Sequence, residues 1–122
     1  MIVLLTKWAR QADPRLADVT HRFCNGCEDE HKTNRRAYSH SLHIPGAVCW
    51  CQAAMDLEPN SLTGICLHEY GHLLAGNRKN EEEAEAAADV LLLDRFDIKM
   101  QYRGRYLLQW VDLGKVIKGF GL

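Results

Sequence analysis

Apolar and polar positions along this 122-residue chain change period several times, and each change predicts an element. Residues 2–5 form a short apolar run that reads as a strand. Asp13-Pro14 pairs an N-cap acceptor with proline at the first helical position. Leu16, Val19 and Phe23 follow at roughly helical spacing, which predicts a helix over 13–23. Cys24-Asn25-Gly26-Cys27 reads as a turn, and the charged, aperiodic stretch 28–36 as an exposed loop. Alternation over 37–44 and 47–51, with Pro45-Gly46 between, predicts two short strands joined by a turn. Glu58-Pro59-Asn60-Ser61 then breaks the chain and offers polar N-caps. The run 62–75 is apolar and helix-compatible, and Gly76 supplies its C-cap. Asn80, with Glu83 three residues on, has the form of an N-cap and capping-box acid, and Glu81, Glu82 and Glu83 suit the positive end of a helix dipole. This second helix runs through an alanine-rich stretch to about Phe96, so the two helices form a hairpin. Residues 97–122 carry a mixed pattern that predicts no particular element.

Composition places these elements in a single domain spanning 1–122 with a modest core. The chain is 47% hydrophobic and 25% charged, with a formal net charge of −1, as globular proteins are. The absence of a basic face disfavours nucleic acid as the main partner. The apolar start is too short for a secretory segment, and no run approaches bilayer length, so no membrane partner and a cytoplasmic location are expected. The five cysteines are an odd number, which in that setting argues for metal or free thiols over a disulfide framework.

The chemistry is concentrated in His68-Glu69-Tyr70-Gly71-His72. Residues four apart on a helix share a face, so both imidazoles can reach one metal ion. Glu69 then sits beside that ion as a general base. A catalytic zinc takes three protein ligands and keeps one position for water, so one more is needed. In an antiparallel helical hairpin the level of His68 and His72 is met near residues 83–86. Glu85 is best placed; Glu81, a turn earlier, is second, and Glu83 follows. Asp89 lies four residues beyond Glu85 on the same face and can accept the N–H of a liganding histidine, which fixes its tautomer.

This H-E-x-x-H with Glu85-Ala86-Ala87-Ala88-Asp89 downstream resembles the gluzincins, zinc peptidases whose third ligand is glutamate. Within them it is similar to the small ImmA/IrrE-type zincins of bacteria, phages and mobile elements, over roughly residues 62–98. The link after His72 is short and the cysteine pairs are foreign to that pattern. The expected fold is a compact α+β zincin-like domain, a short sheet packed on the motif helix and the glutamate helix. The expected function is a zinc-dependent metallopeptidase, an endopeptidase acting on a peptide or protein partner. The resemblance implies a regulatory substrate of phage or mobile-element context. Tyr102, Tyr106, His40 and His43 are the candidate donors to the oxyanion of the tetrahedral intermediate.

Two other readings compete. The same ligands suit a non-catalytic zinc module that senses or scaffolds. Cys24, Cys27, Cys49 and Cys51 are candidate ligands for a second, structural zinc. As a zinc knuckle presenting Lys32, Arg35 and Arg36, they suit nucleic acid. Cys66 reads as core packing. His21 and His31 read as surface or hydrogen-bonded histidines, and Trp8, Trp50 and Trp110 as core or cleft-wall aromatics.

Overall fold

A computed structural model describes residues 2–23, 39–40, 47–50, 57–76, 80–104 and 107–121. In these, α1 (Ile2–Ala12) is followed by a 3₁₀ turn (Pro14–Leu16), β1 (Thr20–Phe23), β2 (Ser39–His40) and β3 (Ala47–Trp50). Two longer helices come next, α2 (Pro59–Ala75) and α3 (Glu81–Phe96), then β4 (Gln101–Arg103), β5 (Leu108–Trp110) and α4 (Leu113–Phe120). One sheet has the order β1-β3-β2, with β1 parallel and β2 antiparallel to β3. A separate antiparallel hairpin joins β4 to β5. This mixture of helices and small sheets agrees with the expected α+β class.

Two expectations near the N-terminus are corrected. Residues 2–5 begin α1 and do not form a strand: Leu5 and Ala9 are buried on one face while Val3 is 79% exposed. A helical stripe running on to Ala9 thus outweighs the short apolar run. Nor does a helix cover 13–23. Asp13 does cap a turn, its Oδ1 accepting from Arg15 N at 2.8 Å, but the turn ends after Leu16. Arg10 donates two hydrogen bonds to the Val19 carbonyl, and the chain extends so that Thr20 to Phe23 pair with Ala47 to Trp50. Long-range strand pairing overrides a spacing that fits a helix equally well.

The buried Asp13 carboxylate accepts from both Arg15 and Arg95, fastening this turn to α3. Those hydrogen bonds, the one from Arg15 foremost, hold its acid far below the usual carboxylate range. Arg15 also donates to the Leu74 carbonyl near the end of α2.

Helix α2 lies in the middle of the core; every residue from Thr63 to Gly71 is buried. Glu58 precedes it in extended backbone without capping it through its side chain. Its carboxylate instead accepts from Trp110 Nε1 at 2.8 Å. Asn60 receives Val111 N on its carbonyl and Leu113 N on its side chain. Gly76, at φ 73°, ends α2 with its N–H on the His72 carbonyl. Asn80 Oδ1 accepts from Glu83 N at 2.8 Å, starting α3 where the sequence marks it.

Two glycines of α2 set the distances to its neighbours. A Cβ on Gly64 would lie 2.8 Å from Trp110 N and 2.9 Å from Gln109 C, so the β5 backbone rests directly on the helix. A Cβ on Gly71 would lie 3.0 Å from both the Cβ and the carbonyl oxygen of Ala88. Glycine and alanine facing each other let α2 and α3 approach closely at the level of the motif. At the far end Trp8 stacks on Phe120 with centroids 4.0 Å apart and meets Phe96 edge-on at 5.0 Å, closing α1 against α3 and α4.

Candidate metal centre

Gly71 and Ala88 touch between the two helices, and the side chains beside them converge. Residues 85, 88 and 89 share one face of α3, and that face meets His68 and His72. Glu85 bridges both imidazoles: Oε2 is 2.7 Å from His68 Nε2 and Oε1 is 3.0 Å from His72 Nε2. Asp89 Oδ1 stands 2.8 Å from His68 Nδ1. The two rings are 4.5 Å apart and nearly perpendicular. One donor atom from each of His68, His72 and Glu85 lies within 4.8 Å of the others.

These separations and this donor set fit a small borderline cation. Ligands about 2.1 Å from a tetrahedral ion stand about 3.4 Å apart, so modest opening of the cluster makes room. Two imidazoles and one carboxylate also match the ligand types zinc favours. The cluster could therefore hold a metal ion.

Burial shapes its electrostatics. His68 is 1% exposed, which disfavours a charged ring. Hydrogen bonds to Asp89 and Glu85 outweigh that, and its pKa is pushed up to about 9. Ionised carboxylates only accept, so with both ring nitrogens facing one, His68 donates from both as the imidazolium. The hydrogen bonds from His68 and His72 hold Glu85 ionised well below its ordinary range. Glu69, next along α2, is 8% exposed.

The opposite face of α2 makes another set of contacts. Trp50 Nε1 donates to His21 Nδ1 at 2.9 Å, and His21 Nε2 lies 2.7 Å from the Tyr70 hydroxyl. Indole is a donor only, so Nδ1 accepts and Nε2 carries the proton toward Tyr70. Burial, with Arg10 nearby, lowers His21 to about 4, so it stays neutral. Tyr70 thus points into the core, with its phenol held protonated by burial. Cys66 is fully buried in the core, and burial raises its thiol to about 12.

The remaining candidates fall differently. Tyr102 lies on β4, and its hydroxyl donates to Asp89 Oδ2. Glu83 is exposed in the first turn of α3, and Glu81 is the first residue of that helix. Cys49 lies in β3 and His40 in β2. Cys24, Cys27, Cys51, His31, His43, Tyr106, Lys32, Arg35 and Arg36 lie outside the described residues. The Trp50–His21–Tyr70 chain had no signal in the sequence, since 49 positions separate His21 from Tyr70.

No family model, no curated protein and no solved structure matches the chain. Among the described residues no helix is long and apolar enough to cross a membrane.

Proposed function

We propose that the chain is a zinc-dependent metallopeptidase of gluzincin type, with His68, His72 and Glu85 as ligands and Glu69 as general base. The observation that supports this most is the convergence of two motif imidazoles on one carboxylate, with Asp89 on the remaining nitrogen of His68. A zinc ion held by His68, His72 and Glu85 would supply Lewis acidity to the reaction.

The residues divide the work. Asp89 accepts the Nδ1 proton of His68, leaving the Nε2 lone pair for the ion. Glu85 brings one negative charge to the ligand set. Glu69 takes the proton of the attacking water on its carboxylate and passes it to the nitrogen of the leaving amine. An extended peptide or protein segment is the substrate class, and an endopeptidase of ImmA/IrrE-like, regulatory role is the reading taken.

Metal analysis of the purified protein together with Glu69→Gln tests the proposal. The expected result is about one zinc per helix site in both proteins, and peptide hydrolysis in the unsubstituted one alone. Zinc binding with no hydrolysis of peptide or unfolded protein would leave a non-catalytic zinc module.

A further inference from the structure

Tyr102 is 41% exposed at the rim of the metal centre, yet its hydroxyl is committed to Asp89 Oδ2. The other oxygen of that carboxylate, Oδ1, accepts from His68 Nδ1. Each Asp89 oxygen therefore has its own donor, and the carboxylate cannot rotate without breaking one bond.

The donor is itself held by the fold. Tyr102 pairs with Gln109 in the hairpin, and the Gln109–Trp110 backbone lies against Gly64, one turn before His68. Trp110 is tied to Glu58, and the Arg103 guanidinium sits 3.3 Å from the centre of the Trp110 ring. The hairpin is thus fastened to α2 and reaches over to α3, bracing the carboxylate that touches His68.

We propose that Tyr102 is a positioning residue of the metal centre, fixing Asp89 so that Asp89 fixes the tautomer and ring orientation of His68. This rests on the metal-centre reading above. It also assigns the phenol a different task from oxyanion stabilisation: its proton is committed to Asp89.

The test is a double-substitution cycle read by zinc affinity, using competition with a chromophoric chelator. Tyr102→Phe should weaken zinc about three- to tenfold, less than the ten- to hundredfold typical of a partner that contacts the ligand directly. Asp89→Asn should weaken it more. The double variant should be no weaker than Asp89→Asn alone, because both act through one contact. The cobalt(II)-loaded Phe variant should show a shifted visible spectrum. A Phe variant with unchanged zinc affinity and cobalt spectrum overturns the inference, and a lower turnover alongside would place the phenol on the substrate. A wild-type protein that binds no zinc overturns the metal-centre reading itself.

Nitrogen-15 histidine spectra of the unsubstituted, zinc-loaded protein give an independent check should the variants not fold. They should show His68 with a slowly exchanging proton on Nδ1. A rapidly exchanging proton there overturns the inference.

Discussion

Gly71 and Ala88 face each other across α2 and α3 so closely that a methyl on Gly71 would meet the Ala88 Cβ at 3.0 Å. This contact lies between His68 and His72 on one helix and between Glu85 and Asp89 on the other. It sets how near the carboxylates come to the imidazoles. Gly71→Ala should destabilise the protein by about 1–3 kcal/mol as the helices are pushed apart, and weaken metal binding beyond that. Thermal unfolding and zinc titration of the same sample check both parts. An unchanged zinc affinity would show that the ligands tolerate the wider spacing.

Asp89→Asn keeps the size of the side chain but removes the charge facing His68 Nδ1. Zinc affinity should fall about ten- to hundredfold. Glu85→Gln removes charge from the ligand set itself and should cost more. A larger loss in Asp89→Asn than in Glu85→Gln, measured by chelator competition, would reverse the roles assigned to them.

Metal and proton compete for His68. With its pKa raised to about 9, the ring is protonated at neutral pH, and a cation must displace the Nε2 proton. Zinc binding at pH 7 should release about one proton from this histidine. Calorimetry in buffers of different ionisation enthalpy measures it, and affinity should rise with pH up to about 9. Proton-independent binding would mean that His68 is not a ligand.

Two histidines give the metal-free protein opposite slopes of stability with pH. His68 is raised, so its contribution is full below the unfolded value of about 6.5 and is lost as pH climbs through about 9. His21 is lowered to about 4; below about 6.5 the unfolded chain takes up a proton that the native ring refuses, so stability falls from there toward pH 4. Together they place a maximum near pH 6.5. Denaturant titrations at several pH values test this, and His21→Gln should flatten the acid limb alone.

The sequence displayed local signals well and tertiary ones poorly. Asn80, Glu83 and Gly76 fix helix ends through their own nearest backbone, so these boundaries were readable. Glu85 could be ranked above Glu81 because rise per residue is constant in any helix. Nothing local distinguishes Leu16, Val19 and Phe23 on a helix from the same residues on a turn and a strand. That outcome depends on β3, more than twenty positions away. Tyr102 stood out only as a candidate donor to the oxyanion, since its hairpin carried no pattern that predicted where the phenol would reach.

The cluster at the α2–α3 seam is tied together by its own members. Glu85 spans both imidazoles and Asp89 grips one from behind, so a proton on His68 offsets the gathered negative charge as a cation would. Loading can then follow folding, in contrast to small domains that stay unfolded until metal arrives. Chelation should leave a folded, rechargeable protein whose readiness is governed by how acidic its surroundings are.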